Sequence, residues 1–247
     1  MSFPVWKLLC RLDCAKVRLS ASKKYVSSKN IADLPCGFTV TCHAGAMHTK
    51  PNSIESIRAA IEKDAKIVEF DVSFRPDGTP VIIHNSAPSQ NQGILLKDAL
   101  AVVAKANDCR INLDIKSTAN LGEVDKLVKN AGLFERVFYT GVFTDWVDTV
   151  KSNSQIPYYL NHEITDEESV DPDAAQKVAD KAKTLGATGI NSNFRNASIT
   201  FVEKIRENGL LVSLWTVNNP SDMVRVIDLK PDNITTKYPH IMNLIFR

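Results

Sequence analysis

From residue 38 onward, short runs of apolar and β-branched residues alternate with longer amphipathic stretches, and this alternation constrains the fold more than any other feature. Strand-like runs occur at residues 38–42, 67–72, 80–84, 111–116, 136–141, 156–160, 188–191, 211–216 and 233–236. Helix-like stretches occur near residues 53–64, 95–106, 120–131, 143–151, 173–185, 197–208 and 220–228, with a last one from 239. Strands separated by helix-length segments are typical of a parallel sheet.

Eight β/α repeats emerge when residues 67–84 are counted as one unit, with a turn at Pro76-Asp77-Gly78 between its two runs. Eight repeats in about 210 residues fit a compact (β/α)8 barrel, the TIM-barrel fold. The chain has 247 residues, of which 44% are hydrophobic, so it can bury a core of that size. We therefore predict an α/β protein with a single barrel over residues 37–247 and a short helical extension before it.

Residues 1–36 differ from the rest of the chain because they are strongly basic. Seven lysines and arginines precede residue 30, against a single acidic residue, Asp13. Apolar residues recur there at loosely helical spacing, and Trp6 is among them. A basic amphipathic helix with a tryptophan suits an anionic membrane surface. The simpler interpretation is a short helix that packs on the outside of the barrel or closes its base.

Composition excludes several classes of function. The net charge of +2 gives no reason to expect a nucleic-acid partner. No apolar run approaches the roughly 18 residues that a membrane span requires, and the first residues lack a secretory cleavage pattern. The five cysteines are odd in number and scattered, which argues against a disulfide framework. We expect a cytoplasmic protein, with peripheral membrane contact through residues 1–36 left open and the oligomeric state unknown.

Polar side chains stand where the predicted strands end, which is where TIM barrels collect their functional residues. Glu69 and Asp71 are two apart on one strand and therefore point to the same face. The other candidates come from the ends of different strands. The full set is His43, Glu69, Asp71, His84, Asp114, Lys116 and Trp215.

This set favours phosphoryl chemistry without a nucleotide. Its three carboxylates offer the all-oxygen ligands that one Mg²⁺ or Ca²⁺ prefers. Lys116 is a compact charge suited to a phosphate oxygen, and His43 and His84 titrate near neutral pH, as a general base and a general acid must. The chain contains no P-loop, because Gly45-Ala46 lacks the Gly-Lys-Thr that would complete one.

The order of several motifs resembles the glycerophosphodiester phosphodiesterase family, which includes phosphatidylinositol-phosphodiesterase-like barrels. The motifs span residues 38–240 and are His43-Ala44-Gly45, Pro51-Asn52-Ser53, Val68-Glu69-Phe70-Asp71-Val72, Pro76-Asp77-Gly78-Thr79-Pro80-Val81, Ile83-His84, Asn112-Leu113-Asp114-Ile115-Lys116, Leu214-Trp215-Thr216-Val217-Asn218 and Ile234-Thr235-Thr236-Lys237-Tyr238-Pro239. The resemblance implies a metal-dependent TIM barrel that splits a small-molecule phosphodiester, such as glycerophosphocholine, into glycerol 3-phosphate and an alcohol.

By the same resemblance, His43 and His84 would be the acid–base pair and Glu69, Asp71 and Asp114 the metal ligands. Lys116 would hold the phosphate, while Trp215 would line the pocket.

The chain departs from the family pattern at five positions. The family usually has arginine at position 44, where this chain has Ala44, and a glutamate between proline and asparagine that is missing before Asn52. The family has aspartate at the two positions where this chain has Asn85 and Lys237. At the position of Asp114, the family more often has glutamate. The segment that many members insert after the second histidine is nearly absent.

Two alternatives stay open. A lysophospholipase D or sphingomyelinase D-like enzyme, acting on lipids at a membrane, is suggested by the basic start and the missing arginine. A non-catalytic barrel that binds phosphodiesters is suggested by Ala44, Asn85 and the lost glutamate. His48 lies in a polar loop and fits either an approach to the site or a solvated position. His162 and His240 have no acidic partner nearby in the sequence and are assigned no role, and Trp146 is expected to be a packing or interface residue rather than a substrate contact.

Overall fold

The computed structural model describes residues 4–20 and 34–245, and its centre is a closed parallel barrel. Ten strands are present in this part of the chain: β1 Thr39–Cys42, β2 Ile67–Phe74, β3 Pro80–Ile82, β4 Ile94–Leu95, β5 Arg110–Ile115, β6 Val137–Val142, β7 Tyr158–Asn161, β8 Gly189–Asn193, β9 Leu211–Trp215 and β10 Asn233–Thr236. Eight of them are parallel and follow the order β1-β2-β5-β6-β7-β8-β9-β10. The barrel closes because β1 pairs with both β2 and β10, which confirms the predicted (β/α)8 fold.

Helices surround the barrel and connect its strands. Within the described residues they are α1 Val5–Ser20, α2 Ile54–Glu62, α3 Leu96–Val103, α4 Leu121–Asn130, α5 Val147–Asn153, α6 Asp166–Val170, α7 Pro172–Leu185, α8 Ile199–Glu207, α9 Pro220–Asp228 and α10 Pro239–Ile245. Of these helices, only the short α6 lies outside the stretches that the sequence predicted as helical. It begins with a capping box between Thr165 and Glu168.

Strand β2 shows how sequence alternation separates the core from the site. Val68, Phe70 and Val72 belong to the apolar core. Glu69 and Asp71 alternate with them and point to the barrel interior, where each keeps only 5% of its surface exposed. The apolar residues therefore anchor the strand in the hydrophobic core, while the residues between them place two carboxylates inside the barrel.

Strands β3 and β4 form a small antiparallel excursion from β2, with Val72 opposite Ile82. The predicted turn between β2 and β3 is present, because the Gly78 amide donates to the Arg75 carbonyl at 2.8 Å. Strand β3 ends at Ile82, two residues before His84. That histidine is thus carried beyond the strand, to the mouth of the barrel.

Helix α1 lies on the outside of the barrel, as the simpler interpretation of the basic segment expected. Trp6 and Cys10 are buried against the body, whereas the Val5, Leu8 and Leu12 side chains are 70%, 51% and 48% exposed. Lys7 forms an ion pair with Glu62 at the end of α2. The remaining basic residues at positions 23, 24 and 29 lie outside the described residues, and the domain boundary at residue 36 stays a prediction. None of the described helices has the length and apolar character needed to cross a bilayer.

Candidate active site

A cavity of about 430 Å³ opens where the parallel strands end, and all seven candidate residues from the sequence line it. They reach it from four separate strand ends and the β3–β4 excursion. The structure thus brings together the whole predicted set, whose individual roles stay predictions. The cavity is also lined by residues that lie outside the set predicted from the sequence, among them Phe143, Trp146, Asn161, His162, Glu163 and Asn191.

Three carboxylates cluster on the wall formed by β2 and β5. The parallel register places Asp71 directly beside Asp114, and one oxygen from each of these residues and from Glu69 lies within 4.8 Å of the others. The Lys116 ammonium lies 3.0 Å from Asp71 Oδ1 and 2.6 Å from Asp114 Oδ2. Burial alone would lower the pKa of Lys116, but the charges of Asp114 and Asp71 outweigh it and raise that pKa. The ammonium therefore stays charged at neutral pH.

Glu69 is the most deeply buried member of the cluster. Its Oε2 accepts a 2.6 Å hydrogen bond from the backbone N–H of Ala44. Burial raises the pKa of Glu69 well above its ordinary value, and the charges of Asp71 and Asp114 raise it further. The carboxylate is therefore costly to ionise until more positive charge reaches the cluster.

Asp71 is held in place by Asn52, a residue of the Pro51-Asn52-Ser53 motif to which the sequence assigned no role. The Asn52 amide donates to Asp71 Oδ2 at 2.6 Å, and the Asp71 backbone N–H donates to Asn52 Oδ1 at 2.9 Å. Asn52 adopts a left-handed backbone with φ of 50°, which asparagine tolerates better than most residues. Burial would raise the pKa of Asp71, but Lys116 and the Asn52 hydrogen bond outweigh it and lower that pKa.

Asp114 packs against Gly141 on the neighbouring strand β6. A Cβ added at Gly141 would lie 2.4 Å from the Ile115 carbonyl oxygen and 2.5 Å from Asp114 Oδ1, and its φ is 76°. Thr140 Oγ1 donates to Asp114 Oδ1 at 3.2 Å. The only advance signal in the sequence was a glycine inside a strand, which often marks the close approach of another group.

His43 is a neutral imidazole oriented by the backbone. Its Nδ1 lies 3.0 Å from the Ala44 carbonyl oxygen, which can only accept, so Nδ1 carries the proton and Nε2 is unprotonated. Burial lowers the pKa of His43, the hydrogen bond to Ala44 opposes this, and the positive charge of Lys237 lowers it further. A buried neutral imidazole with an unprotonated nitrogen has the form of a general base.

His84, unlike His43, lies at the solvent-exposed mouth of the cavity. Its side chain is 81% exposed, and its Nδ1 lies 3.3 Å from Asp71 Oδ2. The two histidines thus flank the carboxylate cluster, one from inside the barrel and one from the solvent side.

Comparison with known proteins identifies the family. A sequence profile of the glycerophosphoryl diester phosphodiesterase family matches residues 43–89 and 85–241. The chain belongs to the glycerophosphoryl diester phosphodiesterase family. The prediction that it is an enzyme of this family is therefore confirmed. Among curated proteins, no sequence matched the chain.

Solved structures support the same fold. A glycerophosphodiester phosphodiesterase from Parabacteroides distasonis is 20% identical, with a TM-score of 0.65 and coverage of 85% of this chain and 97% of that one. A phosphodiesterase from Oleispira antarctica, in complex with its product sn-glycerol-3-phosphate, is 16% identical, with a TM-score of 0.69 and coverage of 87% and 98%. A member from Thermotoga maritima is 18% identical, with a TM-score of 0.60 and coverage of 85% and 98%.

The donor set of this glycerophosphoryl diester phosphodiesterase family member fits a divalent cation. Three carboxylates face one ammonium, so the ionised cluster carries two negative charges in excess. All of its ligand atoms are oxygens, as Mg²⁺ and Ca²⁺ require. A divalent ion would balance that charge and would also remove the main obstacle to ionising Glu69, which is a buried negative charge beside two others.

The far wall of the cavity carries aromatic side chains and a further histidine. Trp146 packs against the hydrophobic core and also lines the cavity beside Phe143, with ring centroids 6.1 Å apart and edge-to-face. His162 was left without an acidic partner, yet its Nε2 lies 2.8 Å from Glu168 Oε2. The Trp215 indole Nε1 is buried and has no hydrogen-bond partner among the described residues. This family member thus offers aromatic surface on the wall opposite its carboxylates.

Proposed function

We propose that the chain hydrolyses glycerophosphodiesters to glycerol 3-phosphate and an alcohol by metal-dependent histidine acid–base catalysis. The observation that carries the proposal is the convergence of two histidines, three carboxylates and one lysine on a single cavity. Glu69, Asp71 and Asp114 would hold one Mg²⁺ or Ca²⁺, which when bound supplies Lewis-acid polarisation of the phosphoryl group.

The two histidines have environments suited to opposite proton transfers. Neutral His43 takes the proton of the attacking hydroxyl, from water or from the substrate's own glycerol, on Nε2. His84, beside the Asp71 carboxylate, gives a proton to the oxygen of the leaving alcohol as its bond to phosphorus breaks. If the glycerol hydroxyl attacks, a cyclic phosphate forms first and water opens it afterwards.

Two lysines stabilise the phosphoryl charge in this proposal. Lys116 is fixed by the carboxylates at the end of β5. Lys237 follows β10, which pairs with β1 so that Thr236 lies opposite Cys42, and its charge acts on His43. In the part of the chain that the structure describes, the Lys237 ammonium makes no ion pair. We infer that Lys237 replaces the cation that the family usually places at position 44, where this chain has Ala44.

The decisive experiment is a metal-controlled product screen. Purified protein is assayed on glycerophosphocholine, glycerophosphoethanolamine and glycerophosphoglycerol, with glycerol 3-phosphate as the product measured. We expect turnover to stop on chelation and to return with Mg²⁺ or Ca²⁺. Turnover that survives complete chelation would remove the metal from the proposal. Phosphodiester binding without turnover under any metal would favour the non-catalytic barrel instead.

A second candidate function, on lysophospholipids at a membrane surface, is favoured by helix α1. Val5, Leu8 and Leu12 form an exposed apolar stripe on a basic helix, which is the pattern of a peripheral membrane contact. In this proposal the protein is cytoplasmic and meets an anionic bilayer through α1.

Sedimentation with phosphatidylserine vesicles tests this second candidate. The Leu8→Ser/Leu12→Ser variant is compared with Val170→Ser, whose side chain is 74% exposed on another helix. We expect the double variant to lose vesicle binding and lysophospholipid turnover while it keeps turnover of soluble glycerophosphodiesters. Equal vesicle binding by both variants would reject the role of α1.

A further inference from the structure

A second cluster of metal-ligating side chains lies outside the catalytic cavity, where α1 meets the barrel. It consists of Asp13 on α1, His48 in the loop after β1, and His240 in the first turn of α10. His48 Nε2 lies 2.6 Å from Asp13 Oδ2, and His240 Nε2 lies 3.1 Å from the same oxygen. The three ligand atoms lie within 4.8 Å of one another. Two imidazole nitrogens therefore converge on one carboxylate oxygen.

The local structure holds both imidazoles in this arrangement. Met47 and His48 both have left-handed backbones, with φ of 57° and 61°, which turns the loop after β1 towards α1. The His240 side chain is only 9% exposed, and its Nδ1 is buried without a hydrogen-bond partner among the described residues. The Tyr238 ring meets His48 and His240 edge-on, with centroids 5.6 Å and 5.9 Å away. Neither ring is therefore a freely solvated histidine.

We propose that Asp13, His48 and His240 form a second metal site, selective for Zn²⁺-like cations, that fastens helix α1 to the barrel. Two imidazoles and one carboxylate are ligands that Zn²⁺ and Co²⁺ prefer over Mg²⁺ or Ca²⁺. Tetrahedral zinc with ligands near 2.0 Å separates its ligand atoms by about 3.3 Å, so binding needs only a small spreading of the present contacts. The fourth position falls to water or another small ligand. This site differs from the catalytic cluster, whose described ligands are all oxygens.

The consequence is a metal-dependent attachment of the N-terminal segment. The ligands come from three parts of the chain that are far apart in sequence, with 227 positions between Asp13 and His240. His48 lies in the same loop after β1 as His43, and His240 lies in the first turn of α10, directly after the loop that carries Lys237. Zinc at this point therefore joins α1 to both loops, which become less free to move relative to each other.

Metal binding is measured on chelator-treated full-length protein, by calorimetric titration of Zn²⁺ in excess Ca²⁺ and by the visible spectrum of bound Co²⁺. Excess Ca²⁺ occupies the catalytic carboxylates, and the titration is repeated in an Asp71→Asn/Asp114→Asn background to remove that site. The test variants are His48→Gln and His240→Gln. The matched control is His162→Gln, because His162 also contacts a carboxylate, Glu168, but has no second imidazole beside it.

We expect one Zn²⁺ per chain in both backgrounds and a Co²⁺ spectrum typical of four-coordinate ligation by mixed nitrogen and oxygen donors. Each test variant should weaken Zn²⁺ binding by more than the roughly 10–100-fold that loss of an outer-shell partner costs, whereas His162→Gln should bind as the parent does. Zn²⁺ should also raise the unfolding midpoint of the parent but not of His48→Gln, whose partly exposed position makes it the safer variant for folding.

Three results overturn the proposal. They are a parent protein that binds no Zn²⁺ in excess Ca²⁺, a His48→Gln variant that binds Zn²⁺ as the parent does, and equal loss in the His162→Gln control. Any of these leaves Asp13 as a hydrogen-bonded bridge between two histidines without a metal. Because the readouts are metal binding and unfolding, they do not depend on the proposed phosphodiesterase activity.

Discussion

Replacing Gly141 by alanine tests whether the position of Asp114 matters for catalysis. The new Cβ would lie 2.4 Å from the Ile115 carbonyl oxygen and 2.5 Å from Asp114 Oδ1. Carbon and oxygen approach to about 3.3 Å in ordinary close contacts, so strand β5 or the Asp114 carboxylate must move by roughly 0.9 Å. The left-handed backbone adds about 1–2 kcal/mol, and overpacking adds about 1–3 kcal/mol. We expect a total destabilisation of about 2–5 kcal/mol.

Gly141→Ala should lower the turnover of the folded enzyme, in addition to lowering its folding stability. A misplacement of about 1 Å in a reacting group can cost on the order of 100-fold in rate, and Asp114 is displaced by nearly that distance. We therefore expect kcat/KM of Gly141→Ala to fall by about 100-fold for a glycerophosphodiester. Rates are measured at saturating metal, and the free energy of unfolding is measured by denaturant titration.

Gly132→Ala is the matched control. Gly132 also has a left-handed backbone, with φ of 67°, but an added Cβ there has no atom within 4 Å. It should cost only the backbone strain of about 1–2 kcal/mol and leave turnover unchanged. If folded Gly141→Ala turns over substrate within threefold of Gly132→Ala, the close approach to Asp114 has no catalytic importance and the reasoning is wrong.

The remaining predictions concern Asp71 and the histidines. Asn52→Ala should cost about 1–3 kcal/mol of stability, because it leaves the buried Asp71 N–H unsatisfied, and Asn52→Gly, which suits the left-handed backbone, should recover only part of it in denaturant titrations. His43→Ala and His84→Ala should each lower kcat by about 10²–10⁴-fold with an unchanged circular dichroism spectrum; near-normal turnover in either removes the proposed mechanism. Because burial lowers the pKa of His43, the unfolded chain binds more protons than the folded protein just below pH 6.5. The free energy of unfolding should therefore decrease as the pH is lowered through that window. A His43→Gln variant should lack that part of the pH dependence, and identical curves would contradict it.

The parts of the site that the sequence predicted share one property: each residue lies within an apolar strand run or just beyond its end. His43 and Trp215 stand at such ends, and Glu69, Asp71, Asp114 and Lys116 alternate with core positions or follow them. Because parallel strands end at one rim, position in the sequence was enough to bring these residues together. The fold itself followed from the same alternation.

The supporting contacts were not predictable, because they depend on close approach between segments that carry no joint signal. Asn52 reaches Asp71 from a loop, and Gly141 makes room for Asp114 across a strand pair. The Asp13–His240 contact joins opposite ends of the chain, so no metal-ligand spacing appears in the sequence. Such contacts are fixed by the closed barrel and become visible only with its geometry.

The hydrogen bond from the Ala44 backbone to Glu69 changes how the missing arginine is understood. Every residue type except proline has a backbone N–H. A substitution at position 44 therefore changes the charge near the ligand but keeps the hydrogen bond to the Glu69 carboxylate. The side chain at this position can therefore adjust specificity. The buried carboxylate beneath it keeps the same main-chain support.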